Sequence, residues 1–153
     1  MENMRIIVLI AFLISGINLA GQSIHYNLKG DYVANGYDVV SYFDNMPTKG
    51  QKEFEHTHDG IKLKFSSQSN LDQFKSNPEK YLPQYGGWCS YAIAKNGEKV
   101  KINPKTYEIR DNKLYLFYNK WGTNTLKKWK EEDPSLLQPE ADKNWEAIKH
   151  KKN

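Results

Sequence analysis

Residues 85–97 read Tyr-Gly-Gly-Trp-Cys-Ser-Tyr-Ala-Ile-Ala-Lys-Asn-Gly, in a chain of 153 residues. The paired glycines permit a tight turn, and the final Asn-Gly is typical of a helix end, so this stretch predicts a turn followed by a short helix. Cys89 is expected in the first turn of that helix. It is the single cysteine of the chain, so any thiol chemistry has to use this position.

Upstream of this stretch the sequence predicts a β-hairpin. Two alternating runs, residues 53–57 and 61–65, flank His58-Asp59-Gly60, and Asp-Gly between such runs is a strong hairpin signal. An earlier segment, residues 38–43, is largely apolar and lies between turn-forming residues. It is therefore expected to form a short strand.

Two short helices are predicted between the hairpin and the central stretch. Ser67 can cap a helix over residues 68–75. Asn77-Pro78 supplies a second cap and a first-turn proline for a helix that runs to Leu82.

Three strands and a helical tail are predicted downstream. The strands cover residues 100–103, 106–110 and 114–118 and form a meander, and the tail over residues 126–148 has a break at Asp133-Pro134. The tail residues expected to dock on the core are Trp129, Leu136, Leu137, Trp145 and Ile148. The predicted fold is a small single α+β domain with antiparallel hairpins or a meander, short helices after the first hairpin, and C-terminal helices packing on the sheet.

The N-terminus is expected to be a removable secretory signal. Arg5 precedes a continuous apolar run, residues 6–14, which is too short to cross a hydrocarbon core because that requires roughly 20 apolar residues. Small residues follow, and cleavage is expected between residues 20 and 23; an uncleaved anchor is the alternative. This divides the chain into a signal peptide, 1–22, and one periplasmic or secreted domain with a C-terminal helical extension, 23–153.

Charge and cysteine content narrow the expected partners. The formal net charge is +4, and the lysines near the C-terminus are interspersed with glutamates. Mixed charges on amphipathic helices are typical of a solvated face, so nucleic acid is not an expected partner, and no membrane contact is expected after signal cleavage. One thiol cannot form an internal disulfide, so packing must hold the fold.

Cys89 is the first candidate for chemistry. A thiol in the first turn of a helix feels unpaired N–H groups and the positive end of the helix dipole, so we expect an accessible, ionised thiolate that can act as a ligand or nucleophile. The Gly86-Gly87 turn would admit a small ligand or oxidant, and Tyr85, Trp88 and Tyr91 would wall the site. The alternative is a small buried hydrophobe, the commonest fate of a free cysteine.

His56, His58 and Asp38 are further candidates. The i, i+2 spacing of the histidines places both imidazoles on one face of a strand, as a copper or zinc site would require. Two ligands do not make a site, and two solvated histidines at a hairpin end are the alternative. Asp38 is expected either to bond the backbone of a turn or to act in acid-base chemistry.

Four groups of residues together resemble the exported YHS domain proteins of bacteria. They are Gly36 to Phe43; Phe65-Ser66-Ser67 with Asn70, Phe74, Pro78 and Tyr81; Pro83 to Ala92; and Asp111 to Asn119 with Asn144-Trp145. The densest part of the resemblance covers residues 36–94. It implies a small α+β fold and, in the wider family, an association with metal handling.

The resemblance has opposite implications for the pair Ser66 and Asn70 and for Cys89. Metal-binding relatives place cysteines where this chain has Ser66 and Asn70, and neither of these is a soft thiolate ligand, so the usual metal site of the family is not expected here. Some members of the exported subgroup have selenocysteine at the position matching Cys89. That favours redox or soft-metal chemistry at Cys89.

Three functions follow, and the sequence leaves open whether the protein is an enzyme. The favoured one is an exported module that binds a soft metal such as Cu(I) through Cys89, with His56 or His58. The second is a thiol redox enzyme in which Cys89 cycles through a sulfenic acid or mixed disulfide and uses an external thiol. The third is a structural or interaction domain without chemistry. The chain lacks a Gly-x-Ser-x-Gly elbow, a His-Glu-x-x-His motif and a phosphate loop, which argues against a hydrolase.

Overall fold

The computed structural model describes residues 25–152 of the chain. The predicted signal peptide and its cleavage region lie outside the described residues. Within them, the strands are β1 Leu28–Lys29, β2 Tyr32–Val33, β3 Gln51–His58, β4 Ile61–Phe65, β5 Asn103–Arg110, β6 Lys113–Phe117, β7 Asn119–Lys120 and β8 Thr123–Asn124. The α-helices are α1 Gln68–Ser76, α2 Pro78–Tyr81, α3 Ser90–Asn96, α4 Thr125–Glu131 and α5 Pro134–Ile148.

The strands form one four-stranded sheet and two separate hairpins. The sheet has the order β1-β2-β4-β3, in which β2 runs parallel to β4 and the other neighbours are antiparallel. The hairpins pair β5 with β6 and β7 with β8. The fold is α+β, as the sequence predicts.

The first hairpin and the helices after it are confirmed. Asp59 and Gly60 both have positive φ, 46° and 79°, as a two-residue hairpin turn of twisted strands requires. Ser67 caps α1 because its Oγ accepts a hydrogen bond from the Asn70 amide at 3.2 Å. Helix α3 ends at Asn96 and is capped by Gly97, which has a left-handed φ of 62°.

The strand predicted over residues 38–43 is wrong. The structure has a turn there, followed by a 3₁₀ helix over Ser41–Asp44. The cause is the carboxylate of Asp38, whose Oδ1 accepts hydrogen bonds from the amides of Val40 at 2.9 Å and Ser41 at 3.4 Å. These bonds replace strand pairing with a local turn.

The predicted meander is also wrong in its first strand. Residues 100–102 are outside the strands, and β5 begins at Asn103 and contains Pro104. The pairing register with β6 shifts between Asn103 and Tyr107, so Pro104 lies in an irregular part of the ladder where its missing N–H costs no regular pair. Two short pairings, β1 with β2 and β7 with β8, were not predicted.

Two buried clusters hold the elements together. The sheet core contains Val33, Tyr42, Ile61, Leu63, Phe65, Phe74, Cys89, Leu114 and Leu116 among others. The helix core contains Tyr85, Trp88, Ile93, Tyr115, Phe117, Trp129, Leu137, Ala141 and Ile148. Strand β6 contributes to both, because its alternate side chains point to opposite faces.

Of the C-terminal helices, α4 packs on the second hairpin, as predicted, whereas α5 packs mainly on α3. Trp129 is fully buried, and its indole nitrogen donates to Glu108 of β5 at 2.9 Å. Leu137 and Ile148 are buried in the same cluster, but the prediction for Leu136 is wrong because that side chain is 68% exposed. No helix in residues 25–152 is long and apolar enough to cross a membrane.

Candidate functional site

Cys89 is the N-cap residue of α3 and is completely buried. Its sulfur accepts a hydrogen bond from the Tyr118 amide at 3.4 Å and lies 3.3 Å from the Thr125 hydroxyl oxygen. That hydroxyl donates its own proton to the Tyr118 carbonyl at 2.8 Å, so its oxygen is left to accept from the thiol. Both hydrogen-bonding capacities of the thiol are therefore filled inside the fold.

The expectation of an accessible thiol is wrong. Cys89 lies in the sheet core, and the segment carrying Tyr118 and Thr125 covers its sulfur. Its place at the start of a short helix is close to the prediction, although it caps the helix and does not lie in its first turn. The partners of the sulfur are distant in sequence, so no local pattern indicated them.

The Gly86-Gly87 turn is occupied by the chain itself. The Asn27 amide donates to the Gly86 carbonyl at 2.8 Å, and the Asn27 side chain donates to the Gly87 carbonyl at 3.1 Å. A Cβ on Gly86 would collide with the backbone carbonyl of His25. The predicted close approach is real, but the segment that approaches is residues 25–27 and not a small ligand.

The three aromatic residues predicted to wall Cys89 have other partners. Tyr85 donates to Asp142 at 2.8 Å, Trp88 donates from its indole nitrogen to the His25 carbonyl at 2.9 Å, and Tyr91 donates to Glu132 at 2.6 Å. Tyr85 and Trp88 belong to the helix core, whereas Cys89 belongs to the sheet core. The hydrogen bond to Glu132, with burial, raises the pKa of Tyr91 to about 12.

His56 and His58 share one face of β3, as predicted. Both rings meet Phe74 edge-on, with centroid distances of 6.1 Å and 5.5 Å. Burial, followed by the positive charge of Lys75 and the neighbouring His58, lowers the pKa of His56. Within residues 25–152, no group of three or more His, Cys, Asp or Glu side chains is placed to hold a metal ion. The structure therefore does not assemble Cys89, His56 and His58 into one ligand set.

The buried carboxylate of Asp38 is the centre of a polar network. Besides the turn amides at Oδ1, its Oδ2 accepts from the Ser66 amide at 2.8 Å, the Ser66 hydroxyl at 2.6 Å and the Asn70 side-chain amide at 2.7 Å. The predicted role of Asp38 in bonding a turn backbone is confirmed. The network also joins Ser66 and Asn70, the two positions at which the family resemblance implies cysteines in metal-binding relatives.

This network fits hydrogen bonding and does not fit a soft metal. The hydroxyl, amide and carboxylate groups of Ser66, Asn70 and Asp38 are hard or weak ligands, whereas Cu(I) selects thiolates and thioethers. Their polar atoms are already paired with one another, so a cation would have to break at least the bonds at Asp38 Oδ2. The absence of the family's usual metal site stays a prediction.

An open cleft on another face was not found by sequence reasoning. It has a volume of about 680 Å³ and lies between β1, the start of β5 and the β7–β8 turn, with Ile102 and Tyr118 in its lining. Trp121 stands on its rim and is 84% exposed. The available signal was the Lys-Trp-Gly sequence at 120–122, a turn glycine next to an aromatic residue.

Part of the chain is similar to a known protein family. Residues 39–85 match the YHS domain. The matched segment begins one residue after Asp38 and contains Ser66, Asn70, His56 and His58. Cys89 and the Trp121 cleft lie outside it. No curated protein and no solved structure matches the chain.

Proposed function

We propose that the protein is a noncovalent binding domain that works outside the cytoplasm, and that its YHS segment serves as a scaffold. The observation that carries this proposal is the burial of Cys89, whose sulfur is hydrogen-bonded to the Tyr118 amide and the Thr125 hydroxyl. A sulfur enclosed in this way is a packing group. Of the three functions predicted from the sequence, the interaction domain is therefore favoured.

The soft-metal function requires a large rearrangement. Cu(I) would have to reach a sulfur with no exposed surface and find a second soft ligand there. His56 and His58 belong to the first hairpin and pack against Phe74 of α1. The Asp38 network offers no thiolate. The metal handling associated with YHS domains in general would thus not extend to this chain through these residues.

The redox function meets the same barrier. An oxidant has to contact the thiolate, and the sulfenic acid that forms has to be resolved by a second thiol, which this chain lacks. Burial of the sulfur between Tyr118 and Thr125 hinders both steps. An external thiol protein would have to open the segment at 118–125 before it could react.

The decisive experiment measures thiol labelling and Cu(I) affinity on the same sample. We expect native labelling by iodoacetamide to be about 100-fold slower than labelling in denaturant, because reaction waits for local opening. In a competition with bathocuproine disulfonate, Cys89→Ser and the wild type should retain no Cu(I). Rapid native labelling below pH 8, together with tight Cu(I) binding that Cys89→Ser abolishes, would restore the soft-metal function.

Two substitutions separate packing from chemistry at Cys89. Cys89→Ala removes both hydrogen bonds and leaves a small cavity, so it should lower the free energy of unfolding by about 1–2 kcal/mol. Cys89→Ser can keep the hydrogen bonds but buries a more polar group. If both variants are as stable as the wild type while losing a cellular function, the thiol has a chemical role and the proposal fails.

Export is part of the same proposal and has its own test. The apolar run over residues 6–14 and the small residues near 20–23 support a cleavable signal. Intact mass measurement of protein from the cell envelope should give a mature chain that begins near residues 21–24. Retention of residues 1–20 would show an uncleaved anchor.

A further inference from the structure

All the charged side chains that line the Trp121 cleft are positive. Three exposed lysines line it, Lys29 from β1, Lys101 before β5 and Lys120 from β7, and no Asp or Glu belongs to the lining among the described residues. Lysines gathered around a concave surface favour an anionic ligand, because the low-dielectric walls concentrate their field. Its volume of about 680 Å³ is in the range of small-molecule sites.

Trp121 occupies a position where packing and backbone preference both argue against tryptophan. It has a φ of 52°, followed by Gly122 at 78°, so the two form the left-handed turn between β7 and β8. Asn, Asp or Gly is preferred at such a position, and a bulky residue there is uncommon. Its ring is the most exposed of the large apolar side chains in residues 25–152. An exposed aromatic ring held in this conformation is a candidate for ligand contact.

The neighbours of Trp121 leave much of its ring available. The Lys120 ammonium lies 4.1 Å from the ring centroid and therefore covers one face. The side chain is nevertheless 84% exposed, so the opposite face is open to solvent. This platform offers a flat apolar surface beside a positive charge. It suits a ligand that is itself flat on one side and anionic at its edge.

An open platform favours a saccharide over an apolar aromatic ligand. An apolar ring gains most when both faces are enclosed, as in the deep pockets that bury most of a ligand. A sugar ring has an apolar C–H face for the indole and hydroxyls that remain in water or bond polar groups. Asn35, a half-buried lining residue, has a side-chain amide that can donate to and accept from such hydroxyls.

We propose that the Trp121 cleft binds an acidic saccharide. One sugar ring stacks on the open face of Trp121, and the carboxylate or sulfate groups pair with Lys29 and Lys101, and with Lys120 once its flexible side chain leaves the other face of the ring. The proposal deepens the proposed function, since it names a ligand class for the noncovalent binding domain. It involves neither Cys89 nor the Asp38 network, so it can fail or succeed independently of both.

Binding is tested by calorimetry and by the tryptophan fluorescence of the purified protein. The probes are an oligogalacturonate, a sulfated heparin hexasaccharide and neutral maltohexaose, and comparing the first two distinguishes carboxylate from sulfate. We expect at least one acidic probe to bind about tenfold or more tightly than the neutral one. Raising the salt from 50 to 500 mM should weaken that binding, because the lysine pairs are exposed.

Matched variants locate the site. Trp121→Asn removes the ring and places a residue that suits the turn, so it should fold and lose binding by about tenfold or more. Leu136→Ala is the control, since Leu136 is another exposed apolar side chain, 68% accessible and outside the cleft. The double variant Lys101→Ala, Lys120→Ala should lose binding, whereas Lys130→Ala, an exposed lysine of α4, should not.

Three results would overturn the proposal. One is the absence of binding to both acidic probes at millimolar concentration, and another is binding that Trp121→Asn leaves unchanged. The third is co-sedimentation with phosphatidylglycerol vesicles, dependent on Trp121, without saccharide binding; the cleft would then be a membrane-surface contact. Slow labelling of Cys89 would still support the noncovalent binding domain in each case, so the two proposals fail separately.

Discussion

The side-chain amide of Asn70 donates a hydrogen bond to Asp38 Oδ2 at 2.7 Å. This bond joins the turn that begins at Asp38 to α1. Ser66 donates two further hydrogen bonds to the same oxygen, from its amide and its hydroxyl. The carboxylate is fully buried. The stability of the fold therefore depends on these donors, because a buried charge without partners is strongly destabilising.

Asp38→Asn should be severely destabilising. The substitution turns one acceptor oxygen into an N–H₂ donor and leaves it facing groups that also donate. We expect the free energy of unfolding to fall by about 3 kcal/mol, measured by urea denaturation. The control is Asp72→Asn in α1, an exposed residue that accepts a single side-chain bond from Gln68 and should change stability little. Equal effects of the two substitutions would contradict the role given to the network.

The same network predicts a gain of metal binding. In the double variant Ser66→Cys, Asn70→Cys, two thiols replace groups whose polar atoms lie 2.6 Å and 2.7 Å from Asp38 Oδ2. Two thiolates and a carboxylate converging on one point form a borderline-soft ligand set suited to Zn²⁺ or Co²⁺. Addition of Co²⁺ should give thiolate charge-transfer absorption in the double variant. The wild type and each single variant serve as controls, and equal absorption in a single variant would show that the two positions do not converge on a metal.

Substitutions at Gly86 and Gly122 test the close approach of residues 25–27 to the Gly86-Gly87 turn. Gly86 has a φ of 59° and no room for a Cβ beside the His25 carbonyl, whereas Gly122 has a φ of 78° and nothing within 4 Å of that position. Gly122→Ala should cost about 1 kcal/mol from backbone conformation alone. Gly86→Ala should cost at least about 2 kcal/mol more, because it also displaces residues 25–27. Similar losses of unfolding free energy in the two variants would mean that residues 25–27 do not dock as described.

The lowered pKa of His56 predicts that the fold loses stability in acid. Its folded-state pKa lies below the ordinary value of 6.5, mainly because of burial and then because of Lys75 and His58. The unfolded chain therefore binds the proton first, and the stabilising contribution is complete above pH 6.5 and is lost as the pH falls through the folded pKa. His56→Gln should lose less stability than the wild type between pH 7 and pH 5.

Lys75→Ala distinguishes the causes of the His56 shift. Burial is the largest cause, so removing the Lys75 charge should leave most of the acid sensitivity in place. Urea denaturation at several pH values measures both variants. If His56→Gln were as acid-sensitive as the wild type, the sensitivity would arise elsewhere, for example at His25, whose pKa burial also lowers.

Local signals predicted the parts of the fold that depend on local chemistry. The Asp59-Gly60 turn, the Ser67 cap and the Asn96-Gly97 helix end each act within a few residues, and each is present as expected. The segment at 38–43 was mispredicted because its conformation is fixed by the carboxylate of Asp38, which competes with strand pairing. Apolar composition alone does not reveal that competition.

The site was harder to predict because its contacts are long-range. The sulfur of Cys89 is covered by Tyr118 and Thr125, 29 and 36 residues away, and residues 25–27 occupy the Gly86-Gly87 turn. The local sequence around Cys89 correctly indicated the start of a helix but carried no information on what covers it. The resemblance correctly directed attention to Ser66 and Asn70, whose side chains meet at Asp38.

Trp121→Asn should make the protein more stable. The wild-type turn holds a bulky side chain at a φ of 52°, and Asn adopts this left-handed conformation at lower cost. Little packing is lost, since the ring is 84% exposed and the flexible Lys120 lies over it. We expect the free energy of unfolding to rise by about 0.5–1 kcal/mol in urea denaturation. Leu136→Asn is a suitable comparison, because it also replaces an exposed apolar residue but lies in α5, where Asn is a poorer helix former. A loss of stability in Trp121→Asn would mean that the indole packs against the cleft and has a structural role. A gain in stability together with a loss of saccharide binding would mean that the tryptophan in this turn serves the ligand.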